Sequence, residues 1–339
     1  MDAIHTDFAH LSDRAELLDF LHAVFLRKNP THPRFEALFP DLFDDDADIP
    51  MERHAVIRVN GRIAACVGAY PMTLRLRGCD IPLVGIGQVS TGAEHLGRGY
   101  MTTLLREQLA RASDEGAALA WLGGRHDRYS RFGFETAGLA FQYGLDARSV
   151  REVPRTRTVG KLEGNPSEGI PPALFALRDR TCSSVVEPPA RYLRRLRRAH
   201  FEIWTATPPG ASEPDAWVLF NADTHKADEF SGSADGCLEI CASLAERDPQ
   251  GIRAMPALTG DALSEGLRRA CSWVSASMNN LSVLDAGRLL DAFRPILPAD
   301  CPVPSADLGP GPLARLLFGP EPSDFPVRLP FHLPDVVHL

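Results

Sequence analysis

Two short stretches of the chain hold residue types that can do chemistry. Residues 96–105 read Leu-Gly-Arg-Gly-Tyr-Met-Thr-Thr-Leu-Leu and place two glycines between an apolar run and an amphipathic one. A turn of this kind directs backbone N–H groups and a helix N-terminus at one point, which suits a bound anion. About thirty residues later, Tyr129 precedes the segment Ser-Arg-Phe-Gly-Phe. A phenol with a pKa near about 10 can protonate a leaving group, so the sequence predicts an anion site followed by a candidate general acid.

The apolar pattern predicts the elements that must position these stretches. Helical spacing predicts a helix over residues 13–27 and a shorter one near residues 35–42. Strand-like alternation on both sides of Asn60-Gly61 predicts a hairpin. The remaining predictions are strands over residues 54–59, 62–76, 81–91, 117–122 and 139–145, a helix over residues 99–113 and a short helix near Tyr129. This order indicates an α+β or α/β fold.

The order and spacing of the two stretches resemble the GCN5-related N-acetyltransferases. Within that family, the enhanced intracellular survival type carries a similar Tyr-x-Arg-Phe-Gly run. The resemblance implies a mixed, splayed central sheet flanked by helices, with acetyl-coenzyme A (acetyl-CoA) as the co-substrate and no metal. It also implies two or three lobes, of which this chain has length for two.

The same resemblance implies which residues hold the cofactor. In the family, the strand before the turn pairs its free backbone groups with the pantetheine amides, and the turn holds the pyrophosphate. The matching positions here are Val89, Ser90, Thr91, Gly97, Arg98, Gly99, Tyr100, Met101 and Thr102. The family turn reads Arg or Gln, two residues, Gly, one residue, then Gly or Ala, so Leu96 and Met101 depart from it. Main-chain N–H groups tolerate such departures.

Two groups are implied to be catalytic. In the family a tyrosine matching Tyr129 assists the departing thiolate, and in the enhanced intracellular survival type the terminal carboxylate is a base. The apolar end of this chain predicts the same role for Leu339. The implied reaction is direct acetyl transfer to a primary amine of a small molecule or peptide. A packing role for Tyr129, and a tail that docks without chemistry, remain alternatives.

The predicted organisation has three parts. Residues 1–150 form the acetyl-CoA-binding catalytic domain, and residues 151–294 form a degenerate second lobe of the same kind. In the second part a strand is predicted over residues 217–221 and helices over residues 236–247, 261–274 and 284–293, with no glycine turn from strand to helix. Residues 295–339 are rich in proline and are predicted to run extended and dock back at the active site.

Composition excludes several other classes. With 44 acidic and 36 basic residues, the net charge of −8 disfavours nucleic acid as a partner. Seven scattered cysteines without a CxxC motif disfavour disulfides and zinc and fit a reducing cytoplasm. Without an apolar run of about eighteen residues, we expect no membrane segment. Nothing in the sequence indicates the oligomeric state.

Two charged segments and two rival functions complete the predictions. The basic run over residues 191–198 is typical of a helix with one solvated face, and the acidic cluster over residues 41–48 is a solvated loop or an attractor of cationic acceptors. The rival functions are a coenzyme A-binding regulatory protein that has lost catalysis and a carrier of apolar ligands built from the second part.

Overall fold

A computed structural model describes residues 3–44, 47–181, 183–257, 261–301, 308–319, 329 and 331. In this part of the chain, thirteen strands form one mixed sheet. The strands are β1 (Ile4–Phe8), β2 (His54–Val59), β3 (Arg62–Leu76), β4 (Cys79–Thr91), β5 (Leu119–Leu122), β6 (Glu135–Leu145), β7 (Thr158–Lys161), β8 (Val185–Val186), β9 (Phe201–Thr207), β10 (Ala216–Asn221), β11 (Lys226–Gly232), β12 (Ile252–Ala254) and β13 (Trp273–Val283).

Helices cover the sheet. They are α1 (Arg14–Leu26), α2 (Phe35–Leu38), α3 (Pro40–Phe43), α4 (Tyr100–Asp114), α5 (His126–Tyr129), α6 (Pro172–Thr181), α7 (Pro189–Arg195), α8 (Ala234–Arg247), α9 (Ala262–Ala270), α10 (Ala286–Phe293) and α11 (Pro310–Phe318). Among the described residues, no helix is long and apolar enough to cross a membrane. The mixed sheet flanked by helices confirms the predicted fold class.

The sheet is nearly symmetric about its centre. Its strands lie in the order β1-β2-β3-β4-β5-β13-β6-β12-β11-β10-β9-β7, with β8 beside β3. We call β1–β5 the N-terminal half and β7 with β9–β12 the C-terminal half. Each half contains one parallel pair, β4 with β5 and β11 with β12. Because β13 lies between β5 and β6, the sheet is continuous across residue 150, and the domain boundaries stay predictions.

The predicted hairpin is confirmed. Asn60 and Gly61 have φ of 51° and 81°, the pair of positive values that a tight two-residue hairpin turn needs. They join β2 to β3 with Val59 opposite Arg62. The third strand, β4, returns antiparallel to β3 and carries the chain to the predicted turn.

Several elements differ from the predictions. The strands β1, β7, β8, β9, β11, β12 and β13 were not predicted, and the helix predicted over residues 261–274 ends at Ala270. Within the tail, predicted to be extended, the described residues 310–318 form helix α11. Pro310 and Pro312 lie in the first turn of that helix, where a missing N–H costs no hydrogen bond.

The basic run forms the predicted helix with Tyr192 buried and Arg197 exposed. Ion pairs join it to the acidic cluster, so the described part of that cluster is not the solvated loop that was predicted. Arg195 lies 2.9 Å from Asp41, and both side chains are almost fully buried. Arg197 contacts Asp44 at 2.9 Å. The carboxylate of Asp48 is 3.1 Å from the guanidinium groups of Arg191 and Arg194. Asp45 and Asp46 of the cluster lie outside the described residues.

Candidate active site

The turn between β4 and α4 leaves backbone N–H groups open. Gly97 and Gly99 have φ of 76° and 81°, a region that residues with a side chain rarely adopt. Gly99 is the N-cap of α4, and no side chain caps the helix there. A Cβ built on either glycine would meet no atom within 4 Å. The first turn of α4 therefore faces open space and can donate N–H groups to an anion.

The end of β4 is separated from β5. The pairing of β4 with β5 stops at Ile86 and Leu122, whereas β4 continues to Thr91. On the other side, Ser90 and Thr91 still pair with β3. Among the described strands, none pairs with residues 87–91 on the side of β5. This splay matches the prediction and leaves backbone groups for an extended ligand.

One cavity of about 470 Å³ lies at the splay and the turn. Seven of the nine predicted cofactor residues line it, namely Val89, Ser90, Thr91, Gly97, Gly99, Met101 and Thr102. The two departures from the family turn, Leu96 and Met101, both lie in its wall. Residues that were predicted from one local pattern thus share one surface.

Four cations surround the same cavity. Arg27 and Lys28 come from the end of α1, and Arg128 and Arg131 come from the segment around α5. No acidic residue is among the described residues that line it. Partial burial, together with the nearby Arg128 and Arg27, lowers the pKa of Lys28. The cavity is therefore strongly electropositive, and an anion in it would relieve the repulsion.

Two buried polar atoms in the wall have no hydrogen-bond partner in the described chain. They are Oγ of Ser90, whose residue is 3% exposed, and Nδ1 of His95. Buried polar groups are nearly always paired. Because the described chain covers both atoms, a ligand could pair with them only if the side chains around them moved.

The remaining two predicted cofactor residues are placed differently. Arg98 is exposed at the tip of the turn, between the two glycines. Tyr100 begins α4 and packs into the core of the N-terminal half. Its ring contributes to packing, and its buried hydroxyl has no hydrogen-bond partner among the described residues.

Tyr129 ends the short helix α5 and is 6% exposed. Its ring packs edge-on against Phe134, with 6.4 Å between ring centroids. Burial raises the pKa of Tyr129, although the nearby Arg128 opposes this. The phenol is therefore protonated at neutral pH and can donate a proton. Its neighbour Arg128 reaches the cavity wall.

The predicted base, Leu339, lies outside the described residues. The last described residue is Phe331, whose ring packs on Phe318 of α11. A Cβ on Gly138 of β6 would come within 3.0 Å of Phe331. Glycine at this position thus leaves space for Phe331 beside β6.

The four cations were not predicted from the sequence. Arg128 and Arg131 flank the tyrosine of the recognised motif, and that adjacency was an available signal. The pair Arg27-Lys28 follows an amphipathic helix far from the turn in sequence. Only the packing of α1 beside β4 brings it to the cavity.

Comparisons with known proteins agree with this geometry. Residues 7–137 match the model of the acetyltransferase (GNAT) domain family. The chain is 30% identical over 112 residues to an uncharacterized N-acetyltransferase of Streptomyces avermitilis, covering 32% of this chain and 25% of that protein. The match therefore spans a quarter of the curated relative's length.

Solved structures resemble the chain over most of its length. A conserved protein of unknown function from Enterococcus faecalis V583 has a TM-score of 0.67 and 16% identity, covering 86% of this chain and 75% of the other. Eis1 from Mycobacterium abscessus has a TM-score of 0.59 and 18% identity, covering 83% and 74%. At such identities the likeness shows the fold. Residues 7–137 thus match the GNAT acetyltransferase domain model, and the fold over most of the chain is that of these solved structures.

Proposed function

We propose that the protein is an N-acetyltransferase that moves an acetyl group from acetyl-CoA directly to a primary amine. The observation that carries the proposal is the electropositive cavity at the glycine turn and the splayed end of β4. The GNAT domain match supports acyltransferase activity in general. The acetyl donor, the amine acceptor and a cytoplasmic location are proposals.

Coenzyme A fits the two ends of this cavity in different ways. Its phosphates carry several negative charges, for which the open N-terminus of α4 and the four cations provide donors. Its pantetheine arm is an extended chain with two amides. The unpaired edge of Val89, Ser90 and Thr91 can hydrogen-bond to those amides as a neighbouring strand would.

The proposed reaction needs one acid and one base. The amine nitrogen attacks the thioester carbonyl, the new C–N bond forms, and the C–S bond breaks. Tyr129 donates its proton to the departing sulfur and recovers one from the solvent. The proton of the amine goes to water or to the carboxylate of Leu339. No group of three or more metal-ligating side chains occurs among the described residues.

The test is release of coenzyme A from acetyl-CoA with a panel of amines that covers aminoglycosides, polyamines, amino acids and lysine peptides. With any competent amine, we expect Tyr129→Phe to lower kcat about 100-fold, the lower range for general acid catalysis, while the Kd for coenzyme A changes little. Tyr143→Phe is the matched control, because Tyr143 is a buried tyrosine in the core of the C-terminal half. Unchanged turnover in Tyr129→Phe would contradict the acid assignment.

The terminal base has its own test. Extending the chain by one glycine after Leu339 moves the carboxylate but keeps every side chain. We expect a loss of kcat without a change in the Kd for coenzyme A. Full activity of the extended chain would contradict the role of Leu339.

The departures at Leu96 and Met101 favour one second candidate, a coenzyme A-binding protein without transferase activity. Tight binding of coenzyme A with no acetyl transfer to any amine of the panel would support it. Transfer to a single amine would exclude it.

A further inference from the structure

Below the splay, three buried side chains form one hydrogen-bonded row. The hydroxyl of Tyr70 on β3 lies 2.7 Å from Nε2 of His54 on β2 and contacts the side-chain amide of Gln88 on β4. All three residues are at most 5% exposed. The row therefore crosses three adjacent strands inside the core.

Gln88 has an unusual backbone. Its φ is 49°, a left-handed value that costs a residue with a side chain about 1 kcal/mol or more. The register of β3 and β4 shifts at this point, since Gly68 pairs with Gly87 whereas Cys66 pairs with Ser90. Gln88 thus begins a bulge. The bulge begins two residues after Ile86, the last residue of β4 that pairs with β5.

The protonation of His54 sets the direction of the hydrogen bonds. Burial lowers its pKa to about 4, so the ring is neutral at pH 7. Its Nδ1–H donates to the carbonyl of Met51, at 3.0 Å. The structure places Oε1 of Gln88 against the Tyr70 hydroxyl. Because Nε2 of His54 accepts the Tyr70 O–H, the Gln88 amide has to be turned over so that its N–H donates to the Tyr70 oxygen. Amide orientation follows from the network in this way.

Gly68 and Phe43 pack closely around the row. A Cβ on Gly68 would collide with the Tyr70 hydroxyl. On the other side, the ring of Phe43 packs on His54 with 5.3 Å between centroids. The phenol is therefore confined between its two partners.

We propose that His54, Tyr70 and Gln88 are positioning residues that hold the β4 bulge. By holding it, they keep β4 apart from β5 and leave space for the pantetheine arm of the cofactor. This inference rests on the proposed function. The network pulls the Gln88 side chain inward, and the hydrogen bond offsets the cost of the left-handed backbone. Residues 89–91 then present their free edge to the cavity.

The test compares two ligands by calorimetry. Acetyl-CoA contains the pantetheine arm with its acetyl group. Adenosine 3′,5′-bisphosphate contains the nucleoside and phosphates but lacks this arm. We expect Tyr70→Phe to raise the Kd for acetyl-CoA about fivefold to tenfold, the effect of one buried hydrogen bond, and to leave the Kd for the bisphosphate within about twofold. Tyr143→Phe, the matched control, should change neither Kd.

The outcomes separate this inference from the proposed function. Equal changes for both ligands, or no change for either, in Tyr70→Phe would overturn the positioning role while the proposed function stands. If the unmodified chain bound neither ligand, the proposed function would fail and the positioning role with it.

A second pair of variants tests the backbone directly. Gln88→Gly removes the side chain but adopts a φ near 49° without strain, whereas a valine at this position resists it. We expect Gln88→Val to weaken acetyl-CoA binding several times more than Gln88→Gly does. Equal losses in the two variants would overturn the role assigned to the bulge.

Discussion

Two strand-to-helix junctions, one in each half of the sheet, differ in a way that separates binding from packing. The β4–α4 junction contains Gly97 and Gly99 and has no side-chain cap. The β11–α8 junction also contains a left-handed glycine, Gly232 with φ of 91°, although no glycine turn was predicted there. The hydroxyl of Ser233 caps this second helix by accepting from the N–H of Gly236. One helix N-terminus is open and the other is filled by its own chain.

The space around the glycines also differs between the two junctions. A Cβ on Gly99 would meet nothing within 4 Å, whereas a Cβ on Gly232 would collide with the carbonyl oxygen of Asp215. The carboxylate of Asp215 is held by Arg157 at 3.0 Å. At the second junction, glycine is needed because the backbone of β10 approaches closely. At the first, it leaves space for a ligand.

The side chains that line the cavities beside the two junctions also carry opposite charges. The β4–α4 cavity is lined by four cations. The cavity of about 210 Å³ beside the start of α8 has three acidic and no basic residues among those described, Asp228, Glu229 and Asp261. Phosphates would be repelled there. The comparison teaches that a strand-to-helix turn becomes an anion site only when its N–H groups are open and its walls are basic.

The largest expected effect comes from one substitution made at both junctions. Gly99→Val should weaken coenzyme A binding more than about 100-fold, because valine resists the left-handed turn that directs the N–H groups. Gly232→Val should instead lower the free energy of unfolding by about 3 kcal/mol or more through its backbone collision. Calorimetry and urea denaturation check the two. If Gly232→Val left the stability intact, the packing explanation of the second junction would be wrong.

The next largest effect is expected from removing single cations of the β4–α4 cavity. Removing one charge–phosphate contact costs about 1.5 kcal/mol, or roughly tenfold in affinity, so Lys28→Ala and Arg131→Ala should each raise the Kd for coenzyme A by that factor. Lys161→Ala is the control, because Lys161 pairs with Glu202 in the C-terminal half. A loss of affinity in the control equal to that in Lys28→Ala would mean that general charge, and not the cavity, attracts the ligand.

The pH dependence of binding follows from the lowered pKa of Lys28. The protonated amine binds phosphate, so affinity is at its maximum below this pKa and falls as pH rises through it. The fall should therefore begin at a lower pH than the ordinary lysine pKa of 10.5 would allow. In Lys28→Arg, whose side chain stays charged, the decline should disappear from a titration of Kd against pH. A decline of unchanged size would assign it to another group.

A pair of serines gives the smallest effect. Ser233→Ala should lower the free energy of unfolding by about 1 kcal/mol, the usual value of an N-cap, with coenzyme A affinity unchanged. Ser90→Ala should do the opposite, because its hydroxyl has no partner in the described chain. We expect stability to stay within about 0.5 kcal/mol and the Kd to rise about threefold, the effect of one weak hydrogen bond. Identical behaviour of the two variants would remove the distinction between the junctions.

Sequence reasoning reached the first junction because its signals are local. The glycines, the strand before them and the tyrosine motif lie within about 55 consecutive residues, and turn chemistry depends on neighbours in the chain. The cations of α1 were missed because tertiary packing brings them to the turn. Strand β13 was missed for the same reason, since its partners β5 and β6 are more than 100 residues away. The second junction was missed because Gly232 owes its role to Asp215 on another segment.

The most direct test of the account is the stoichiometry of coenzyme A binding to the full chain. Calorimetric titration should give one site per chain, and Gly99→Val should abolish it. Gly210→Val should retain it, since Gly210 has the same left-handed backbone with φ of 75° and open space around it, away from the cavity. Two sites per chain, or binding that survives in Gly99→Val, would contradict the claim that the open β4–α4 junction is the cofactor site.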